Sequence, residues 1–86
     1  MKVFYSNEFL KQAKSLSEKN QEILDVSLRI LLKDPFYPTL HTKHLKGELR
    51  HFLSFRITRE LRVIFMFESS DKIRLISIGH RKDIYR

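Results

Sequence analysis

The sequence contains no cysteine, and only two glycines and two prolines, among its 86 residues. Without cysteine the chain forms no disulfide, no thiolate zinc site and no thiol nucleophile, and it suits a reducing compartment. The two glycines, Gly47 and Gly79, lie far apart, which excludes a glycine-rich phosphate-binding loop. No apolar run approaches the ~18 residues of a membrane helix, and the N-terminal residues do not form the apolar h-region of a secretory signal. We therefore expect a cytoplasmic protein with no secretory signal and no membrane partner.

Positive charge is concentrated in the second half of the chain. Lys and Arg number 17 against 10 Asp and Glu, a net charge of +7. Residues 1–42 hold six basic and five acidic side chains, whereas residues 43–86 hold eleven and five. A basic surface on a small protein favours a polyanion or an acidic partner, and ordinary solubilising charge is the alternative.

The first half of the chain has helical periodicity. The β-forming residues of Lys2–Tyr5 predict a short strand, and apolar residues at helical spacing then predict a helix over about 7–18. A polar break at 17–20 separates it from a second predicted helix, from about Gln21 to Lys33. Asp34-Pro35 ends this helix, because the residue before proline avoids the helical region. Two helices with a short break indicate an antiparallel hairpin.

From residue 50 onward the apolar period changes to two. Three strands are predicted, over Arg50–Ile57, Leu61–Glu68 and Lys72–Ile78, with Gly79 ending the last and a short tail following. The loop after Pro35 and the basic stretch 43–48 are predicted to be turns. We predict one α+β domain, residues 1–86, in which an N-terminal strand, a two-helix hairpin and an antiparallel meander form one sheet packed on the helices.

Strand alternation divides the side chains between two faces of the sheet. If the helices pack on Leu53, Phe55, Ile57, Val63, Phe65 and Phe67, the opposite face receives Ser54, Arg56, Arg62, Ile64 and Met66. We expect Ile76 and Ile78 to share this second face. Arginines among apolar side chains are poorly suited to bulk water, so the second face is predicted to be a docking surface.

Arginine has the donor geometry and the permanent charge that phosphate oxygens require. Arg56, Arg62 and Arg81 are candidates to hold a phosphodiester and to neutralise charge that develops on it. His80 lies beside Arg81, and because an imidazole can donate or accept a proton, it is a candidate acid or base. Tyr85 is a candidate to stack a base or donate a proton. A surface ion pair is the alternative for each arginine.

Four segments in a fixed order carry a family resemblance. They are Lys-His-Leu-Lys-Gly-Glu-Leu at 43–49, Ser-Phe-Arg-Ile at 54–57, Leu-Arg-Val-Ile-Phe at 61–65 and Ile-Gly-His-Arg-Lys-Asp-Ile-Tyr-Arg at 78–86. Together they resemble the RelE/ParE superfamily of bacterial type II toxins, above all its RelE, YafQ and YoeB branch of mRNA interferases. The resemblance implies a RelE-like fold with two N-terminal helices on one side of a sheet. It also implies an endoribonuclease that enters the ribosomal A site and cleaves mRNA by 2′-hydroxyl attack, without a metal or other cofactor.

The resemblance assigns roles to individual residues. Arg62 falls on a phosphate-contacting position, Arg56 on a position that is basic or histidine in relatives, and Arg81 on one that stabilises charge or protonates the leaving oxygen. Tyr85 matches a terminal aromatic at the active site, and Lys43 lies near the position of a general base. Ser54 stands where some relatives carry a second lysine.

The general base is left open by the sequence. The candidates are Lys43, His44, Glu48 and Glu60. We also predict that basic residues of the 43–50 region contact RNA, namely Lys43, His44, Lys46 and Arg50. His41 and His44 lie in a loop without a nearby acidic third ligand, so no metal site is predicted.

The resemblance also implies partners. Such toxins are neutralised by an antitoxin whose acidic or amphipathic C-terminal segment wraps the toxin, and they meet DNA only through that antitoxin. A ParE-like inhibitor of DNA gyrase and a catalytically inert, antitoxin-binding member are the alternatives.

Overall fold

A computed structural model describes residues 1–84, so Tyr85 and Arg86 lie outside the described residues. The elements in chain order are β1 (Lys2–Tyr5), α1 (Asn7–Lys14), α2 (Glu18–Lys33), β2 (Lys43–His44), β3 (Leu53–Arg56), β4 (Leu61–Ser69), β5 (Lys72–His80) and α3 (Arg81–Ile84). Single 3₁₀ turns occupy Pro38–Leu40 and Gly47–Leu49. Within residues 1–84, no helix combines the length and apolarity that crossing a bilayer requires.

Serine caps define the two N-terminal helices. The Ser6 hydroxyl accepts the Phe9 N–H at 2.9 Å and starts α1. The Ser17 hydroxyl accepts the Asn20 N–H at 3.1 Å, so α2 begins at Glu18. The predicted boundary between the helices was therefore wrong by a few residues, since Ser17 caps the second helix instead of ending the first. The end of α2 at Lys33 is as Asp34-Pro35 predicted.

The sheet has five strands in the order β1-β5-β4-β3-β2. Strands β3, β4 and β5 form the predicted antiparallel meander. β1 joins it by pairing parallel to β5, and β2 pairs antiparallel to β3 at the other edge. The predicted α+β architecture, one sheet packed on two helices, is confirmed.

Three local predictions in the second half were wrong. The basic stretch contains a strand, β2, rather than only a turn, and β3 begins at Leu53 rather than Arg50, because Arg50 caps the preceding 3₁₀ turn. β5 continues through Gly79 to His80, because Gly79 pairs with Arg62 and His80 with Leu61. The predicted tail then begins as α3.

The hydrophobic core lies between the helices and one face of the sheet. It consists of Phe9, Leu24, Leu31, Leu40, Leu53, Phe55, Val63, Phe65, Ile73, Leu75 and Ile78. The Phe65 ring meets the Phe55 and Phe67 rings edge-on, at 5.7 Å from each. The core face predicted by strand alternation in β3 and β4 is confirmed.

A β-bulge corrects one assignment. Ile64 pairs with Ser77 but Phe65 pairs with Leu75, so β5 has one extra residue at Ile76. The extra residue inverts the alternation of the strand beyond it. Ile78 consequently lies opposite Val63 in the core and is 2% exposed. Its predicted place on the arginine face was wrong.

Candidate active site

Two arginines stand side by side on the sheet face opposite the core. The β3–β4 register pairs Arg56 directly with Arg62. Directly paired residues of antiparallel strands point to the same face, with Cα atoms about 4.5–5.5 Å apart. This is the arrangement that the alternation predicted. We call the face that carries them the arginine face.

Both arginines are withdrawn from water. Arg62 is 6% exposed and Arg56 is half-buried. The Nε atom of each is buried and has no hydrogen-bond partner within residues 1–84. A buried donor without a partner costs about 1–3 kcal/mol, and like charges directly opposite across strands are destabilising. This arrangement is unfavourable for two arginines alone, and an anion with several oxygen acceptors bound between them would offset both costs.

The same face extends to the edge strand. Lys43 pairs with Ser54, which in turn pairs with Ile64 on β4. Lys43, Ser54 and Ile64 thus lie across the sheet next to the paired Arg56 and Arg62, and on the same face. Lys43 is exposed, whereas Ser54 is fully buried. Because neighbouring strands are about 4.8 Å apart, Lys43 lies within reach of an anion held by the arginines.

A second group of polar side chains lies where β5 passes into α3. The Arg81 N–H donates to the Glu60 carbonyl at 2.8 Å. One oxygen of the Glu60 carboxylate lies 3.8 Å from His80 Nδ1 and 3.9 Å from Arg81 Nε. These are ion-pair distances rather than hydrogen-bond distances. The contact between Glu60 and His80 is an ion pair only when His80 is protonated. All three side chains are about half exposed, so solvent and ligands reach them.

Gly79 connects the two groups. It pairs with Arg62, and a Cβ at Gly79 would meet Ile84 Cγ2 at 3.2 Å. The missing side chain lets α3 pack against β5 beside Arg62. Sequence reasoning assigned Gly79 only the end of a strand. The usable signal was a glycine within a strand, which often marks a close approach of another segment.

The structure therefore separates the predicted site residues into groups. Lys43, Arg56 and Arg62 share the arginine face, and Glu60, His80 and Arg81 cluster at its end. Tyr85 lies outside the described residues.

The remaining candidates lie elsewhere. His44 pairs with the core residue Leu53 and so belongs to the other face, with its ring 6.5 Å from that of Phe36. Lys46, Glu48 and Arg50 are exposed in the turn around Gly47, whose φ of 67° suits glycine.

The chemistry available at the two groups is anion binding with proton transfer. Guanidinium groups supply fixed positive charge and donors, an imidazole can donate or accept a proton, and a carboxylate can accept one. Within the described part of the chain, no three His, Asp or Glu side chains converge as metal ligands would.

No protein-family model matches the sequence, and no curated protein is significantly similar to it. Several solved structures share its fold. A YoeB/ParE toxin from Agrobacterium tumefaciens matches with a TM-score of 0.82 and 20% identity, over 94% of this chain and 99% of the toxin. YafQ from E. coli strain BL21(DE3) matches with a TM-score of 0.81 and 14% identity, over 98% of this chain and 97% of YafQ. A chain of the RelB-RelE antitoxin-toxin complex from Methanococcus jannaschii matches with a TM-score of 0.76 and 19% identity, over 96% of this chain and 95% of the matched chain.

These likenesses confirm the resemblance at the level of architecture. The chain has the fold of the RelE/YoeB-type toxins over nearly its whole length. A shared fold hosts more than one function, so the activity has to be argued from the site.

Proposed function

We propose that this chain is the toxin of a type II toxin–antitoxin system and acts as an endoribonuclease on mRNA in the ribosomal A site. The observation that carries the proposal is the Arg56–Arg62 pair, in which Arg62 is buried, Arg56 is half-buried, and the buried Nε of each has no hydrogen-bond partner within residues 1–84. The fold supports it independently, because the structures that share it include YoeB, YafQ and RelE toxins.

The reaction requires five events at one phosphodiester. A base takes the proton of the 2′-hydroxyl, the 2′-oxygen bonds to phosphorus, charge grows on the non-bridging oxygens, the bond to the 5′-oxygen breaks, and that oxygen receives a proton. The products are a 2′,3′-cyclic phosphate and a 5′-hydroxyl. Arg56 and Arg62 bind the non-bridging oxygens and stabilise their charge, which the buried setting strengthens.

Proton transfer falls to the second group of residues. His80 in its protonated form, or Arg81 by hydrogen bonding, serves the leaving 5′-oxygen, and Glu60 holds both near the end of β5. Tyr85 follows α3 in the sequence and is proposed to contact the substrate base.

Lys43 and Glu60 remain the candidates for the base, Lys43 because it shares the arginine face and Glu60 because it adjoins His80. Glu48 and His44 are disfavoured as the base by their positions in the Gly47 turn and on the core side of the sheet.

The proposed protein partner is an antitoxin with an acidic or amphipathic C-terminal segment. A cytoplasmic antitoxin of this kind complements the charge of residues 43–86, which carry eleven basic and five acidic side chains. One of the fold neighbours comes from a complex of RelE with the antitoxin RelB. Covering the arginine face would block the substrate and the antitoxin from binding together.

Primer extension on cellular mRNA after brief induction tests the proposal. Wild type should produce new 5′ ends within translated regions, and Arg81→Ala should produce none while folding normally. Arg59→Ala is the matched control, since Arg59 is an exposed arginine in the β3–β4 turn. Growth arrest without new 5′ ends would refute the nuclease and point to a ParE-like target such as gyrase. Neither arrest nor cleavage would indicate an inert member.

A further inference from the structure

An aromatic side chain outside the candidate active site is held exposed beside a basic segment of the chain. Phe36 is 54% exposed, although phenylalanine is a residue that folding normally buries. Its ring lies 6.5 Å from the Phe67 ring at an interplanar angle of 19°, and 6.5 Å from the His44 ring at 33°. The ring is therefore supported by two aromatic neighbours and still accessible.

The loop that carries Phe36 is fixed by hydrogen bonds. The Phe36 N–H donates to the Asp34 carboxylate at 3.0 Å, and the Tyr37 N–H donates to the Asp34 carbonyl at 3.0 Å. The Thr42 hydroxyl donates to the Pro35 carbonyl at 2.5 Å, which ties the two ends of the loop together. The backbone that carries the ring is thus held in place without a ligand, which lowers the entropy cost of binding.

The segment that reaches Phe36 through His44 is rich in basic side chains, while the Asp34 carboxylate is the acidic group beside Phe36. Between 41 and 51 the chain carries Lys43, Lys46 and Arg50 together with three histidines, against the single carboxylate of Glu48. Lys43, His44 and Lys46 line a groove with Leu45 and Leu49. An exposed aromatic ring beside several cations is the combination by which proteins bind single-stranded nucleic acid, with the bases stacked and the phosphates neutralised.

The edge strand β2 joins this surface to the arginine face. Its two residues point to opposite sides of the sheet, Lys43 to the arginine face and His44 toward Phe36. A strand of RNA held at Arg62 can therefore pass around this edge, which has no further strand beyond it within the described chain.

We propose that Phe36 and His44, with Lys46 along the adjoining groove and Lys43 on the other side of the edge strand, form a stacking site for a base of single-stranded RNA. The inference rests on the proposed function for the source of the RNA, and it adds a second contact point away from the scissile phosphate. An apolar contact with a protein partner is the competing use of the same ring, and the variants below separate the two.

Binding of a short fluorescent 2′-O-methyl oligoadenosine measures this site apart from catalysis. The blocked 2′-oxygen cannot attack phosphorus, so affinity is read without cleavage. Phe36→Ala should weaken binding about 5- to 150-fold, the range of one lost base–aromatic stack, and leave the salt dependence unchanged. Lys46→Ala should reduce the slope of log affinity against log salt by about 0.7, the value for one phosphate contact on a single strand.

Two conservative variants identify the contact. Phe36→Tyr keeps a flat aromatic ring and should bind as wild type, whereas Phe36→Leu keeps the apolar character and should bind as weakly as Phe36→Ala. Val26→Ala is the matched control, because Val26 is 53% exposed on α2, away from the basic surface. Wild-type binding by Phe36→Ala, or equal binding by the Tyr and Leu variants, would overturn the proposal, and the second result would favour a protein contact.

The outcome is distinguishable from that of the proposed function. If Phe36→Ala weakens binding but the wild type cuts no mRNA, the stacking site stands and the nuclease falls. If the wild type cuts mRNA and Phe36→Ala binds normally, the nuclease stands and the stacking site falls.

Discussion

Replacing Arg62 by methionine should make the protein more stable and abolish its proposed activity. Arg62 is 6% exposed, its Nε has no partner within residues 1–84, and Arg56 lies directly opposite. Methionine has an unbranched apolar side chain that reaches as far as the arginine Nε, and it removes both the donor and the charge.

The size of the effect follows from these two features. Removing an unsatisfied buried donor recovers about 1–3 kcal/mol, and relieving a directly opposed like charge recovers a further ~0.2–1 kcal/mol. Imperfect packing of the thioether offsets part of the gain, at up to about 1.5 kcal/mol. We therefore expect the free energy of unfolding of Arg62→Met to rise by about 1 kcal/mol, with Tm about 4–8 °C higher for a chain of this length.

Urea and thermal unfolding followed by circular dichroism measure this effect. Arg59→Met is the matched control, because Arg59 is exposed in the β3–β4 turn, and its stability should stay within about 0.5 kcal/mol of wild type. A loss of stability in Arg62→Met of about 1 kcal/mol or more would refute the reasoning. Arg62 would then be a residue that supports the sheet, and its burial would say nothing of a ligand.

Two further predictions concern how the site is held in place. Ser6→Ala removes the acceptor for the Phe9 N–H and the donor to the Ile76 carbonyl at 2.6 Å, so it should lower the free energy of unfolding by about 1–3 kcal/mol in urea. Ser17→Ala is its control, since Ser17 only caps an exposed helix end, and an equal loss in both variants would mean that the bond to Ile76 contributes nothing. Gly79→Ala should push Ile84, and with it α3, away from β5. The rate of mRNA cleavage should therefore fall by a larger factor than the equilibrium constant for folding. Adding Ile84→Ala should restore part of the cleavage, and no restoration in the double variant would contradict this role for the contact.

Strand alternation predicted the Arg56–Arg62 pair because β3 and β4 are joined by a short turn and neither is interrupted between those residues. It failed for Ile78 because the sequence around the bulge at Ile76, Leu-Ile-Ser-Ile at 75–78, is compatible with either register. β2 could not be predicted because a strand of two residues is too short to show an alternation of apolar and polar side chains.

The cluster at the end of β5 could not be predicted from spacing. Glu60 is 20 residues from His80 in sequence, and the two meet only because β5 continues through Gly79 to the level of Leu61. The sequence also does not predict the parallel pairing of β1 with β5, because a four-residue strand gives no indication of its partner. The sequence does not predict a role for Phe36, because an aromatic residue in a proline-bounded loop is usually a packing residue. The exposure of its ring becomes apparent only in three dimensions.

The parallel pairing of β1 and β5 also sets when the protein can fold during its own synthesis. The Ser6 hydroxyl bonds to a carbonyl 70 residues later, and the Gln12 side chain accepts the Ile78 N–H at 2.7 Å. At about 5–20 residues per second, the N-terminal strand waits roughly 4–14 s for its partner to be made. The segment that supplies this partner also brings Gly79, His80 and Arg81 to the site. A nascent chain therefore completes the five-stranded sheet and gains the candidate site residues His80 and Arg81 at the same stage, and no shorter intermediate has either.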